Sequence, residues 1–125
     1  MQTTLDTNVL IRFFTKDIPE KALKAKRLLE EGEDLYIPDV VFPEIEYVLK
    51  SKYGVSREKI IEKFEFLVSQ GNITVSPQAI HAAIIYAKSK LDMADCVIAA
   101  YSRKGSLASF DEELLEIKGV RPYWK

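Results

Sequence analysis

The stretch Thr3-Thr4-Leu5-Asp6-Thr7-Asn8-Val9-Leu10 contains both a strand and the start of a helix. Its first three residues form a short strand-like run, and Asp6-Thr7-Asn8 supplies polar side chains of the kind found at helix N-termini. Val9 and Leu10 then begin an apolar pattern with helical spacing, which Phe13 and Phe14 continue. The stretch therefore predicts a strand that passes directly into a helix.

The same alternation of strand and helix continues along the chain. Short apolar runs predict further strands at 35–37, 72–75 and 107–110, and the tail at 121–124 is expected to add an edge strand. Helical patterns begin at Pro19, after Pro38-Asp39, after Ser56, at Pro77, around Asp92 and at Glu112. No repeat or linker interrupts them, so we predict one domain over residues 1–125. Its fold class is α/β, a three-layer sandwich with a mostly parallel central sheet flanked by helices.

Composition limits the chemistry that this chain can perform. Its 125 residues are 47% hydrophobic, and the formal net charge of -1 excludes a polybasic coat for nucleic acid. A single cysteine, Cys96, and a single histidine, His81, exclude a disulfide framework and a multi-Cys zinc site. No apolar run suits a signal peptide or a membrane span, so we expect a cytoplasmic protein. Carboxylates are the groups plentiful enough to build a site.

Several acids are predicted to meet at one edge of the sheet. Asp6 ends the first predicted strand and Asp111 ends the fourth, and parallel strands bring their carboxyl ends to the same edge. Asp95 lies in the first turn of the helix before the fourth strand. Each acid also has a purely structural interpretation, because Asp6, Asp111 and the pair Asp92 and Asp95 could simply cap helices.

A fourth acid is chosen by its helical environment. Glu44 and Glu46 both flank the apolar arc of the third helix, which centres near Ile45. Glu46 has Lys50 four residues later as an ion-pair partner, whereas Glu44 has Val48 there. We therefore favour Glu44 as the functional acid, with a half-shielded flank residue as the alternative.

Electrostatics argues that such a cluster serves a function. Two carboxylates about 5 Å apart repel by roughly 3 kcal/mol at an effective dielectric near 20. A divalent cation removes this cost, and oxygen ligands without a Cys or His cluster indicate magnesium or manganese.

Four short motifs together resemble one known family. They are Leu5-Asp-Thr-Asn-Val-Leu10, Glu44 ahead of Val48-Leu49, Asp92-Met-Ala-Asp95 and Ser109-Phe-Asp111, and they occur in the family's order over nearly the whole chain. The chain resembles a PIN domain, specifically the VapC-type toxin ribonucleases. Two positions depart from the family's pattern: Pro43 precedes Glu44, and Ser109 stands where Thr is commoner.

The resemblance implies a metal-dependent endoribonuclease with an acidic pocket that binds Mg²⁺ or Mn²⁺. Asp6, Glu44, Asp95 and Asp111 match the family's four acids, with Asp6 and Asp95 as the main ligands. Asp92 matches a more variable acid, and Asn8 and Ser109 match polar positions beside the pocket. The alternatives are a catalytically silent PIN-like module that binds RNA or protein, and a phosphorylatable receiver domain.

The resemblance also implies partners. An antitoxin protein is expected to place a basic side chain in the acidic pocket and an apolar helix in a groove, and a homodimer is expected. An apparent surplus of aromatic residues supports the dimer: Tyr47, Tyr53, Phe66, Tyr86, Tyr123 and Trp124. For RNA, Arg12, Lys16 and Arg103-Lys104 are the candidate contacts, whereas Lys21, Lys24 and Arg27 are interpreted as a solvated helical face.

Overall fold

The computed structural model describes residues 1–124. Its strands are β1 (Thr3–Thr4), β2 (Leu35–Tyr36) and β3 (Ile73–Thr74). Its α-helices are α1 (Thr7–Thr15), α2 (Pro19–Glu31), α3 (Val41–Tyr53), α4 (Arg57–Ser69), α5 (Pro77–Lys88), α6 (Met93–Tyr101) and α7 (Glu112–Leu115), and a 3₁₀ turn at Ser102–Lys104 follows α6. None of the helices within residues 1–124 has the length and hydrophobicity of a membrane span.

The three strands form a parallel sheet in the order β1-β2-β3. Leu35 pairs with Thr3 on one side and with Ile73 on the other, so β2 is the central strand. Parallel neighbours require long crossover connections. Helices α1 and α2 provide the first crossover, and α3 and α4 provide the second. The α/β fold class and the parallel sheet flanked by helices are thus confirmed, with shorter strands than the apolar runs predict.

The predicted fourth strand is wrong. Within residues 1–124, the segment 107–110 and the tail make one isolated parallel bridge, between Leu107 and Pro122, and no strand. Arg121 O accepts from Leu107 N at 2.7 Å and Leu107 O accepts from Tyr123 N at 2.9 Å. The sheet therefore does not carry Asp111 to its edge.

Aromatic side chains fill the core between three helices. Phe64 on α4 packs edge-on against Phe42, with ring centroids 5.5 Å apart, and against Tyr86, at 5.3 Å. All three side chains are buried, and aromatic pairs in this geometry contribute about 0.5–1.5 kcal/mol beyond the area that they bury. The prediction that Tyr86 belongs to the surplus of aromatic residues at a dimer interface is wrong, because Tyr86 is part of the buried core.

The buried face of α5 also differs from the predicted one. Of the predicted inward residues, Ile80, Ala83, Ile84 and Ala87, only Ala83 is buried. Ala79, Ala82 and Tyr86 complete the buried face instead. The helix packs most extensively against α6, and alanines let two helix backbones approach closely. Apolar residues occur on more than one face of α5, so their spacing alone does not identify the buried face.

Gly32 is expected to be intolerant of a side chain. A Cβ at this position would lie 2.6 Å from Leu28 O and 2.7 Å from Leu35 Cδ2, where α2 turns into β2. Gly32→Ala should therefore lower the free energy of unfolding by about 1–3 kcal/mol. Gly71→Ala is the matched control, since its Cβ meets nothing within 4 Å. Urea unfolding measures both, and equal stabilities would contradict the close approach.

Candidate active site

Asp6 lies at the carboxyl end of β1, where the strand passes into α1. Leu5 N–H donates to Tyr36 O over 2.8 Å and so ties the backbone to β2 just before Asp6. Asp6 has an extended backbone, and its Oδ1 accepts a hydrogen bond of 2.8 Å from Thr7 N–H. The exposed Asp6 carboxylate is thus both the cap of α1 and a group at the sheet edge.

Thr7 joins Asp6 to Glu44. The Thr7 residue is only 8% exposed, and its hydroxyl donates to Oε1 of Glu44 in the first turn of α3. The two acids therefore lie on either side of one buried threonine. They line a cleft of about 460 Å³ together with Asn8 and Pro43. Sequence reasoning missed Thr7, although its hydroxyl between Asp6 and Asn8 was a visible signal.

Pro43 does not displace Glu44 from this cleft. Helix α3 begins at Val41, so Pro43 lies within the first turn. Backbone N–H groups in the first turn have no partner inside the helix, and a proline there leaves no helical hydrogen bond unmade. The departure from the family's pattern is therefore compatible with the helix.

Asp95 lies half-buried in the first turn of α6. Burial raises the pKa of its carboxyl, and the negative charges of Asp111, Asp92 and Glu46 raise it further. Asp92 occupies the N-cap position of α6, yet its side chain makes no capping hydrogen bond. The capping interpretation of the pair is therefore not supported, and Asp92 instead adds like charge beside Asp95.

Asp111 is the N-cap of the short helix α7. Its Oδ1 accepts from Leu114 N–H at 3.2 Å, and Ser109 Oγ accepts from Asp111 N–H at 3.0 Å. The serine hydroxyl thus supports the backbone of the acid. Asp111 itself is exposed.

The structure brings the predicted acids together in two sets. Asp6 and Glu44 flank Thr7, whereas Asp95 interacts electrostatically with Asp92 and Asp111. Across residues 1–124, no three His, Cys, Asp or Glu side chains form a group that could hold one metal ion as they stand. The convergence of all four acids on a single ion stays a prediction.

Glu46, a second acid on α3, is not among the predicted site residues. The predicted ion pair between Glu46 and Lys50 is present, with Oε2 and Nζ 3.1 Å apart. Glu46 is nevertheless buried, at 6% exposed, and its Oε1 accepts from Met93 N–H at 2.9 Å. Its charge therefore acts at the start of α6, close to Asp95.

The donor set fits a hard divalent cation. Its members are carboxylates that reach solvent. Burial raises the pKa of Asp95 most, and the like charges that raise it further are ones that a cation would neutralise. Cys96 offers no competing thiolate chemistry, because burial raises the pKa of its thiol to about 11.

Asp111→Asn is expected to stabilise the metal-free protein near neutral pH. The pKa of Asp95 is raised in the folded state, so ionising Asp95 costs folding free energy. This cost appears as the pH rises through the ordinary pKa toward the raised one, and it is absent in acid. Asparagine keeps the capping oxygen and removes one of the charges.

The melting temperature of Asp111→Asn should therefore rise by a few degrees at about pH 7 and not at about pH 3. Asp34→Asn, at an exposed site on another loop, is the matched control and should show no such rise. A melting temperature indifferent to Asp111→Asn at both pH values would contradict the electrostatic contact.

Two comparisons with known proteins identify the family of this chain. The sequence profile of the PIN domain matches residues 3–120. A VapC ribonuclease of Aquifex aeolicus (strain VF5) is 30% identical over 130 aligned positions, which cover 95% of this chain and 96% of that protein. The matched region includes both sets of acids. The chain belongs to the PIN-domain family and is a VapC-type member of it.

Proposed function

We propose that the chain is a metal-dependent endoribonuclease, the toxin of a toxin–antitoxin pair. The observation that carries the proposal is the two sets of acids that reach solvent, Asp6 with Glu44 around Thr7 and Asp95 with Asp92 and Asp111, in a chain similar to a VapC ribonuclease. Carboxylates kept close without compensating cations are costly to stability. A function in binding a divalent ion explains their presence.

Asp6 and Asp95 are the proposed main ligands for Mg²⁺ or Mn²⁺, Glu44 is a ligand or a water-mediated contact, and Asp111 is a supporting acid. The ion, when bound, supplies positive charge to the phosphate and lowers the pKa of a water. Thr7 holds the Glu44 carboxylate toward the cleft through its hydroxyl. No covalent nucleophile is required of the chain.

A groove beside the acids fits an RNA strand. Asn8 lines both the Asp6 cleft and an adjoining cavity of about 340 Å³. Lys21, Lys24 and Arg12 line that cavity, and apolar side chains complete its wall: Val9, Ala25 and Leu28. Basic side chains around an apolar surface suit the phosphates and bases of a single strand. This groove, which we call the lysine groove, shares Asn8 with the Asp6 cleft.

The lysine groove changes which cations we favour as RNA contacts. Lys21 and Lys24 are exposed and line it, so they are stronger candidates than the solvated-face interpretation allowed. Arg12 also lines it, but its Nη1 lies 2.9 Å from both carboxylate oxygens of Asp17. Asp17 therefore neutralises part of the charge of Arg12.

The alternatives fit less well. In a receiver domain β1 lies between its neighbours, whereas here β2 is central and β1 is at the edge. A catalytically silent PIN-like module would have no need of mutually repelling acids at solvent. The nuclease proposal accounts for both the acids and the lysine groove.

We propose that the chain forms a homodimer and binds a separate antitoxin in the cytoplasm. Tyr47, Tyr123 and Trp124 are 68%, 64% and 52% exposed, and aromatic residues at the surface are typical of interfaces. An arginine of the antitoxin would bind the acids bidentately in place of metal and phosphate. Its apolar helix would lie in a groove between helices.

Substitution of the main ligands should abolish cleavage. Asp6→Asn and Asp95→Asn each remove one ligand charge, so Mg²⁺-dependent turnover of RNA should fall about 100-fold or more. Glu44→Gln should be severe as well. Circular dichroism should show an intact fold, because these side chains reach solvent. Asp34→Asn is the matched control, and near-normal turnover of Asp6→Asn or Asp95→Asn would remove that residue from the site.

The lysine groove should bind RNA through phosphates. Lys21→Gln combined with Lys24→Gln should weaken binding of single-stranded RNA and reduce the slope of log affinity against log salt by about 1.4, two contacts at about 0.7 each. Lys52→Gln combined with Lys59→Gln removes the same charge from exposed positions elsewhere. Equal slopes for the two double variants would show that the groove is not the RNA path.

Assembly can be measured on the purified chain. Light scattering should give about twice the chain mass of 14.3 kDa, and the chain alone should cleave RNA. Addition of the protein encoded by the neighbouring gene should suppress cleavage. A strict monomer at micromolar concentration would reject the dimer, and full activity with that protein tightly bound would reject its role as antitoxin.

A further inference from the structure

Glu46 is a buried charge for which the proposed reaction gives no role. It lies on α3 at 6% exposed. Burial of a carboxylate is costly unless hydrogen bonds and opposite charge compensate it. The position of Glu46 within α3 therefore calls for an explanation from its contacts.

One contact reaches across the fold to the start of α6. Glu46 Oε1 accepts a hydrogen bond of 2.9 Å from Met93 N–H, 47 residues away in sequence. The first N–H groups of a helix lack partners within the helix, and the N-cap side chain usually supplies one. The N-cap here is Asp92, whose side chain makes no such bond. Glu46 therefore accepts a hydrogen bond from the start of α6, where the Asp92 side chain accepts none.

The other Glu46 oxygen, Oε2, is paired with a residue of the same helix, α3. Lys50 Nζ lies 3.1 Å from Glu46 Oε2 as an ion pair, at angles outside those of a hydrogen bond. Lys50 compensates part of the buried charge while Oε1 remains directed at Met93. The pair thus offsets part of the cost of burying the Glu46 carboxylate.

The residue before Asp92 is fixed from a different helix. Arg57 on α4 donates through Nη2 to Leu91 O at 2.7 Å and to Tyr86 O at 2.9 Å. Its guanidinium also lies 3.7 Å from the centroid of the Tyr86 ring. Arg57 holds Leu91 O while Glu46 holds Met93 N–H, so Asp92 lies between two tethered backbone groups.

We infer that Glu46 is a positioning residue, whose hydrogen bond to Met93 N–H holds the start of α6 so that Asp95 presents its carboxylate to metal. The inference deepens the proposed function, on which its functional consequence rests. The role requires a side chain long enough to reach Met93 N–H and an oxygen atom that accepts the hydrogen bond. It does not require its charge.

Two substitutions separate the effect of Glu46 side-chain length from the effect of its charge. Glu46→Gln keeps the length and an acceptor oxygen and removes the charge, whereas Glu46→Asp keeps the charge and withdraws the oxygens by one methylene. Mn²⁺ binding by electron paramagnetic resonance should give a dissociation constant within about threefold of wild type for Glu46→Gln. The same constant should rise about 10-fold or more for Glu46→Asp. Loss of an outer-shell contact has effects of this size.

Amide hydrogen exchange supplies a readout independent of metal. Met93 N–H should exchange faster in Glu46→Asp and remain protected in Glu46→Gln. Leu49→Ala, at a buried apolar position on the same helix, is the control. It should lower the melting temperature without changing the Mn²⁺ dissociation constant.

The outcomes discriminate between the two proposals. Wild-type Mn²⁺ affinity and full Met93 protection in Glu46→Asp would overturn the positioning role, as would a Glu46→Gln variant as defective as Glu46→Asp. If the wild-type chain binds no Mn²⁺, the metal-dependent function fails. The Met93 exchange rates of the two variants would then still decide whether Glu46 holds α6.

Discussion

The interaction between carboxylates and the N-terminal ends of helices underlies the candidate site. Every predicted site acid lies at an N-cap or in a first turn: Asp6 on α1, Glu44 on α3, Asp92 and Asp95 on α6, and Asp111 on α7. The partial positive charge at each helix start stabilises a nearby carboxylate by about 0.3–1 kcal/mol. This stabilisation offsets part of the mutual repulsion. Capping and metal binding are therefore compatible functions of the same residues.

The helices, more than the sheet, determine where these acids lie. Each strand has two residues, and among the predicted site acids only Asp6 lies within two residues of the end of a strand. The remaining acids depend on how α3, α6 and α7 pack, because no strand carries them. Thr7 and Glu46 make the contacts that link these separate elements: Thr7 with Glu44, and Glu46 with Met93. Buried polar side chains thus connect parts of the site that the sheet does not connect.

Local patterns in the sequence predicted the elements that depend on local forces. The β1–α1 unit, the parallel sheet and the helix starts at Ser56 and Pro77 follow from spacing, capping and proline geometry. The buried face of α5 could not be predicted, because Tyr86 is selected by Phe64 and Arg57 from α4. A single bridge replaces the predicted fourth strand, and it joins Leu107 to Pro122, which is 15 residues away in sequence. The buried face of α5 and the pairing of Leu107 both depend on tertiary contacts.

The comparison of Glu44 with Glu46 shows how far helical-wheel reasoning extends. The wheel correctly identified Lys50 as the partner of Glu46, because residues four apart on a helix are neighbours. It could not show that an ion-paired acid is also buried against another helix. An exposed acid such as Glu44 can meet a ligand directly, whereas a buried one can act only through the groups that it holds. The two glutamates, two residues apart on α3, therefore differ in kind: Glu44 faces the cleft, and Glu46 supports the backbone that carries Asp95.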